Sequence, residues 1–274
     1  MARLHDWWDG TWQPVAGCKP MGPACLNCFA AKQAATLHQQ AGATRRTVPQ
    51  YAGTTGRKKG RYFFNGRVTA LEPGHDEWKW PLRWRGAEHP LLGPGQRSLI
   101  FVVGMADLFY DRPEHLIGRT LTTIAASEHI GLILTQRPDA MAKYFARLPA
   151  SVVPRWQEHL WLGFTGEKQK QFNERWAPMR DLAGRGWRTF VSIAPMLEPV
   201  TLPPDFLAFG RHIWVIVSGE QGAHEVCRDM DPQWARAVLK QCRGAGVPFF
   251  LKQMARRRPI PPDLFVRQFP EHKR

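Results

Sequence analysis

The chain has 274 residues, 43% of them hydrophobic, and carries 38 Lys or Arg against 23 Asp or Glu, a formal net charge of +15. This length allows one large domain or two small ones, and the apolar fraction is enough for a core of α/β-barrel size; we expect one domain over residues 1–274. No run of 18 apolar residues predicts a membrane span, and the N-terminus lacks an apolar signal region, so we expect a cytoplasmic protein. The excess of positive charge indicates a polyanionic partner.

A loop near the N-terminus holds three of the five cysteines. Cys18, Cys25 and Cys28 have the spacing C-x6-C-x2-C and are interleaved with Gly and Pro, so the backbone can wrap around a small object. Three thiolates on a short loop favour a 4Fe-4S cluster with one open iron position. A zinc ion completed by a distant His5 or His38 is the alternative, because structural zinc takes four ligands. A disulfide is not expected in a reducing compartment.

The loop is followed by a predicted helix over residues 29–41 and then by a basic insertion at about 43–61. The insertion contains no acidic residue. Its six cations are Arg45, Arg46, Arg57, Lys58, Lys59 and Arg61. Two interpretations remain open, a solvated surface loop and an arm that contacts the phosphates of a nucleic acid.

Beyond the insertion, short apolar runs alternate with amphipathic segments. Strands are predicted at 61–71, 98–104, 131–135, 159–165, 187–193, 212–219 and 247–252, and helices at 113–127, 138–147, 167–183 and 232–244. This alternation is typical of parallel strands joined by crossover helices. With the extended piece before the cysteines, up to eight βα units predict an α/β fold, a (β/α) barrel that is complete or partial. An open doubly wound sheet is the alternative, but no G-x-G-x-x-G or Walker pattern follows any strand.

Polar residues follow the predicted strands, where barrel enzymes carry their chemistry. The predicted cofactor contacts are Asp107, Thr135, Arg137, Glu167, Ser192, Glu198, Ser218, Gly219 and Glu220. Arg137 and Glu220 are the predicted catalytic contacts, and Arg137 is expected to pair with one of the three glutamates of that set, holding an amino-acid-like group. For Asp107 and Thr165, the capping of a helix N-terminus is the alternative.

Several segments together resemble one known family over nearly the whole chain. They are TWQPVAGC and GPACLNCFA around the cysteines, IFVVGMADLF (100–109), LILTQRP (132–138), LWLGFTGE (160–167), FVSIAPML (190–197), WVIVSGEQG (214–222) and MDPQWARAVLKQCRGAGVPFFLKQ (230–253). They resemble a phage- and bacterium-encoded family of radical-SAM-like proteins. The chain departs from the usual radical-SAM spacing, C-x3-C-x2-C, and has Ser218 where that family's GGE-like segment has Gly.

The resemblance implies a radical-SAM-type barrel with a 4Fe-4S cluster on Cys18, Cys25 and Cys28, and S-adenosyl-L-methionine on the open iron. The family is associated with hypermodified thymine in phage DNA. An isomerase-type rearrangement of an amino-acid-decorated thymine is therefore implied, with DNA as substrate carrier and flavodoxin or ferredoxin as electron donor. The alternatives are a zinc- or cluster-bearing nucleic-acid-binding module and a radical-SAM enzyme acting on a small metabolite.

Overall fold

The computed structural model describes residues 7–41, 48–86, 97–221 and 226–271, and shows a mixed α/β architecture. The strands are β1 (Gly10–Trp12), β2 (Val15–Ala16), β3 (Thr55–Lys58), β4 (Arg61–Phe64), β5 (Thr69–Ala70), β6 (Leu99–Val102), β7 (Ile130–Thr135), β8 (Leu160–Thr165), β9 (Thr189–Ile193), β10 (Ile213–Ser218) and β11 (Phe249–Gln253). The α-helices are α1 (Phe29–Ala41), α2 (Trp80–Arg83), α3 (Glu114–Ala125), α4 (Pro138–Ala146), α5 (Val153–His159), α6 (Gln169–Gly184), α7 (Pro204–Leu207) and α8 (Pro232–Ala245).

Seven strands form one parallel sheet that curls into a half-barrel, in the order β1-β6-β7-β8-β9-β10-β11. Each strand lies beside the next one of the sheet along the chain, and the intervening helices contribute to the larger core cluster with one face of the sheet. Because all strands run in the same direction, their C-terminal ends meet at one rim. Within the described ranges β1 and β11 are not paired with each other, and residues 266–268 bond to β11 instead.

The concave face of the sheet is filled by large aromatic side chains at its lower end. Trp7, which precedes β1, has its ring 5.5 Å from Phe190 and 5.9 Å from Trp214. Towards the rim, the positions in register with this face become small or polar. Gly163 is paired with Phe190, and a Cβ at Gly163 would lie 2.3 Å from the Phe190 ring. The next paired positions on this face, Thr165 and Ser192, are small and polar and lie at the C-terminal ends of the strands.

The prediction of a parallel α/β fold is confirmed, whereas the prediction of a strand over 61–71 is wrong. That stretch divides into β4, which pairs antiparallel with β3, and β5, which pairs antiparallel with β2. Gly66, at φ +94°, lies between the two pieces, and Arg61 is exposed, so the segment does not have the two buried faces of a barrel strand. The sheet therefore has seven strands where up to eight were predicted.

The predicted bounds of α1 agree with the structure, and the helices predicted after β6, β7, β8 and β10 are present within a few residues. The helix α5, which the sequence pattern did not predict, spans only seven residues and contains Pro154. No helix in the described part of the chain is long and apolar enough to cross a membrane.

Candidate metal and cofactor site

A cavity of about 140 Å³ opens at the rim, and all three cysteines of the N-terminal loop line it. Its other lining residues are Pro20, Ala30, Phe64, Phe101, Gly104, Ala106, Asp107, Leu134, Thr135, Gln136 and Thr165. The cavity is thus bounded by the cysteine loop on one side and by the ends of β6, β7 and β8 on the other. Two of the predicted cofactor contacts, Asp107 and Thr135, lie in this wall. Thr165, for which helix capping was the alternative, also lies there.

The cysteine loop, residues 17–28, takes a compact path that depends on its glycines and prolines. Gly17 has φ +90°, and a Cβ there would lie 2.0 Å from the carbonyl oxygen of Arg67, so only glycine fits. Pro23 begins a 3₁₀ helix that runs to Asn27, and the Cys25 N–H donates to the Gly22 carbonyl at 3.0 Å. This path brings the three cysteine side chains to one cavity.

The start of the loop is anchored by Arg112, a residue that the sequence analysis did not single out. Its buried guanidinium donates to the carbonyls of Ala16 at 2.9 Å and Gly17 at 2.7 Å, and its Nε donates to the carbonyl of Asp107 at 3.2 Å. Burial lowers the Arg112 pKa to about 10. The only sequence signal for this role is a cation directly before the proline at which α3 is predicted to begin.

The end of the loop is held by Glu220 through Arg228 and Asn27. The Glu220 carboxylate accepts from Asn27 Nδ2 at 3.0 Å and from the Arg228 backbone N–H at 2.7 Å, and it forms an ion pair with the Arg228 guanidinium. Arg228 Nη1 also donates to the carbonyl of Pro23 at 2.9 Å. Burial opposes ionisation of Glu220, but the hydrogen bonds from Arg228 and Asn27 outweigh it and keep the Glu220 pKa below its ordinary value.

Asp107 connects the ends of β6 and β7. Its carboxylate accepts from Thr135 Oγ1 at 2.7 Å, from the Gln136 N–H at 3.1 Å and from Arg137 Nη1 at 2.8 Å. Arg137 in turn lies 3.7 Å from the Cys18 sulfur. Arg137 is thus paired with Asp107, because β6 and β7 are neighbours and place the two side chains together. That Arg137 and a glutamate hold an amino-acid-like group between them stays a prediction.

The end of β8 carries a second buried ion pair. Arg175 Nη1, from α6, donates to Thr165 Oγ1 at 2.6 Å and to Glu167 Oε2 at 2.5 Å. A Cβ at Gly22 of the cysteine loop would lie 2.8 Å from Glu167 Oε1, so the loop rests directly on this pair. Glu167 Oε1 is buried and has no hydrogen-bond partner among the described residues. Neither Asp107 nor Thr165 caps a helix.

The other predicted contacts are divided between the rim and the outer surface. Ser192 and Ser218 are buried at the ends of β9 and β10, and the Gly219 N–H donates to the Gln253 carbonyl at 2.8 Å. Glu198 accepts from the Gln169 N–H at 3.0 Å and pairs with Lys168. Glu198 therefore serves the N-terminus of α6 and is the one predicted contact with a helix-capping role.

The sulfur chemistry of the loop suits a soft metal centre. Burial, with the charges of Asp107 and Cys25, raises the Cys18 pKa to about 12 against the opposing effect of Arg137, and burial also raises the Cys28 pKa. These thiols are thus protonated near neutral pH when no metal is bound, whereas a bound metal would deprotonate them. The donor set fits an iron–sulfur cluster or zinc. Among the residues that the structure describes, no three His, Cys, Asp or Glu side chains surround a common ion position.

The remaining cysteines and the alternative histidines do not join this set. Cys242 is fully buried in α8, where burial raises its pKa to about 12, and Cys227 is buried near Arg256, whose Nε donates to the Cys227 carbonyl. His38 is exposed on α1, and His5 lies outside the described residues.

Part of the basic insertion forms the hairpin of β3 and β4. Arg57, Lys58, Lys59 and Arg61 are all exposed on it, and the Arg57 guanidinium lies 5.4 Å from the centre of the Tyr62 ring. Positive φ at Lys59 and Gly60 forms the two-residue turn. The predicted contacts Arg45 and Arg46 lie outside the described residues.

The fold and the site together define a class: a curled parallel α/β half-barrel with a three-cysteine loop over the C-terminal ends of its strands. Residues 4–261 match the family model DUF5131, whose description is a protein of unknown function, and the chain belongs to that family. No curated protein and no solved structure matches the chain.

Proposed function

We propose that the protein is a radical S-adenosylmethionine enzyme with a 4Fe-4S cluster on Cys18, Cys25 and Cys28. The observation that carries this proposal is that the three thiols line one cavity at the strand ends of a parallel half-barrel. Three cysteine ligands leave one iron open for a cofactor. When bound there, the cluster would supply the electron that cleaves S-adenosylmethionine to methionine and a 5′-deoxyadenosyl radical.

The protein's own part is to position the ligands and to keep water away from the reacting atoms. Arg112 fixes the start of the cysteine loop, and Glu220 with Arg228 fixes its end. Thr135, Gln136 and Thr165 supply polar atoms in a wall that is otherwise largely apolar. We assign to Arg137 a charged contact with the bound cofactor, because it lies beside Cys18 and is held in place by Asp107. Glu220 has a positioning role through Asn27 and Arg228.

The substrate in this proposal is a base carried on DNA. The net charge of +15 and the exposed cations of the hairpin support a polyanionic partner. From the family resemblance we propose an amino-acid-decorated thymine of phage DNA, an isomerase-type reaction, and flavodoxin or ferredoxin as reductant.

The test uses Cys18→Ala, Cys25→Ala and Cys28→Ala as separate variants, with Cys242→Ala as the matched control. After anaerobic reconstitution, wild type and the Cys242 control should be brown and bind about four iron and four sulfide. Each of the three loop variants should lose the cluster, and with it the formation of 5′-deoxyadenosine from S-adenosylmethionine. Full iron content in Cys25→Ala would refute the assignment.

The same measurements separate the proposal from its rivals. A colourless protein that holds one zinc would indicate the nucleic-acid-binding module. An iron–sulfur protein whose affinity for DNA does not depend on salt would indicate a small-metabolite substrate, because phosphate contacts release counterions.

A further inference from the structure

The segment that carries the cysteines has a net positive charge because it lacks acidic residues, although its share of Lys and Arg is that of the whole chain. Residues 10–71 contain nine of the 38 Lys and Arg residues and none of the 23 Asp and Glu residues. This acid-free segment includes the cysteine loop, α1 and the β3–β4 hairpin. In the rest of the chain the two signs of charge are mixed, so the asymmetry belongs to this segment.

Within the described residues of this segment, the hairpin, α1 and the cysteine loop pack together beside the cavity. β4 packs against α1 and against the 3₁₀ helix Pro23–Asn27, and a buried cluster that includes Ala31, Ala34 and Phe64 joins them. None of the ion pairs in the described part of the chain involves the four hairpin cations. Their charges are therefore available to a partner.

Three large apolar side chains of the acid-free segment are exposed, in and directly after the cysteine loop. Met21 and Leu26 in the cysteine loop are 52% and 51% exposed, and Phe29 at the start of α1 is 44% exposed. The backbone beneath them is fixed by the contacts of Arg112, Arg228 and Asn27 described above. The backbone of such a preorganised loop loses little additional freedom when a partner binds.

We propose that Met21, Leu26 and Phe29 form a wedge that enters the base stack of a nucleic acid whose phosphates are held by the four hairpin cations, Arg57, Lys58, Lys59 and Arg61. The inference rests on the proposed function and specifies how that function reaches a base. Apolar wedges between base steps are a recurrent means of unstacking and kinking a duplex. Extrusion of a base costs a few kcal/mol, least at a mispaired position, and the wedge would offset that cost at the mouth of the cavity.

A nucleic acid matches this surface better than an acidic protein does. Its phosphates present regular negative charge without positive neighbours, and its bases present flat apolar faces between those charges. The surface has the complementary set, cations without acidic neighbours together with exposed apolar side chains. Carboxylates of a protein partner would satisfy the charges and leave the apolar side chains without a matching group.

The test compares the full chain with the triple variant Met21→Ser, Leu26→Ser, Phe29→Ser, and with Leu82→Ser as the control. Leu82 is 46% exposed and lies outside the acid-free segment. The probes are DNA duplexes with a central 2-aminopurine, either paired or mispaired, and the readouts are fluorescence and Kd at several salt concentrations. Iron and sulfide content is measured on each preparation.

Wild type and the Leu82 variant should increase the fluorescence and bind the mispaired duplex roughly tenfold more tightly than the paired one. The triple variant should lose both effects and keep the salt dependence, because the phosphate contacts remain. Equal fluorescence increase in the triple variant would overturn the wedge. Displacement of the duplex by poly-glutamate at equal charge concentration would also overturn it, in favour of a protein partner. None of these readouts requires radical chemistry, so failure of the proposed reaction is recorded separately, by the absence of 5′-deoxyadenosine.

Discussion

The carboxylate of Glu220 is the place where a small change should loosen the cysteine loop most selectively. The side chain is 3% exposed and accepts from Asn27 and from both the backbone and the guanidinium of Arg228. Glu220→Gln keeps the volume and removes the charge. A hydrogen bond to a charged group contributes about 1.5–3 kcal/mol, and Arg228, at 30% exposed, can recover part of that from water. We expect the loop to lose about 2 kcal/mol of local stability.

The partner variant Asn27→Ala should cost about 1–2 kcal/mol, because it removes the bonds to Glu220 and to the Val226 carbonyl. The two changes share one hydrogen bond, so the double variant should cost about 1 kcal/mol less than the sum. Urea unfolding measures the global part of these effects, and amide hydrogen exchange over residues 18–28 measures the local part.

The pH dependence provides an independent check on the same group. A carboxyl whose pKa is lowered on folding stabilises the folded state above its ordinary value of 4.5, and that contribution is lost as the pH falls through the lowered pKa. Loop protection in wild type should therefore decrease in that acid range, and Glu220→Gln should lack this part of the dependence. Glu198→Gln is the matched control, because Glu198 caps α6 without contacting the cysteine loop.

Unchanged hydrogen exchange over residues 18–28 in Glu220→Gln would refute the reasoning, as would additivity of the two variants within about 0.5 kcal/mol. If the variant kept the proposed cluster and its loop protection but bound S-adenosylmethionine less tightly, Glu220 would instead be a direct contact of the proposed cofactor.

Two further predictions concern the loop and the hairpin. Gly17→Ala should destabilise the protein by at least about 2 kcal/mol in a urea titration and reduce iron uptake. The φ of +90° is strained for alanine, and the new Cβ would lie 2.0 Å from a carbonyl oxygen. The control Gly184→Ala, which has open space around its Cβ in α6, should be neutral or stabilising in the same titration. Neutralising Arg57, Lys58 and Lys59 together should weaken DNA binding uniformly across sequences. It should also flatten the slope of the logarithm of the binding constant against the logarithm of salt concentration by up to about three units. An unchanged slope would mean that the hairpin does not contact phosphates and is a solvated surface loop.

The sheet could be predicted from the sequence because its strands are buried on both faces. Runs such as Ile213–Ser218 and Leu160–Thr165 are continuous apolar stretches, and helices separate them at regular intervals. The alternation of apolar runs and helices in the sequence was therefore enough to predict that the strands are parallel. The 61–71 stretch also contains aromatic residues, but Arg61 is exposed and Gly66 interrupts it, so apolar content alone led to the wrong strand.

The contacts of the site could be predicted only in part. The spacing of the three cysteines indicated one loop, and the strand-end rule located Asp107, Thr135 and Thr165 in the cavity wall. The side chains that hold the loop come from distant segments: Arg112 donates to a carbonyl 95 residues away. Arg112 and Arg228 give no local signal of their partners, since the sequence does not say which carbonyl or carboxylate each one will meet.

The bond between Arg228 and the Pro23 carbonyl joins positions 205 residues apart. During synthesis, the cysteines leave the ribosome long before the residues that complete their support. Contacts of such long range form late in folding, because the closure of a large loop of chain must precede them. The cysteine loop therefore lacks its hydrogen bond from Arg228 until the last third of the chain has been synthesised and folded. Loading of any metal centre on this loop is consequently tied to completion of the polypeptide, and a chain truncated before position 228 would present the same three thiols without the structure that gathers them.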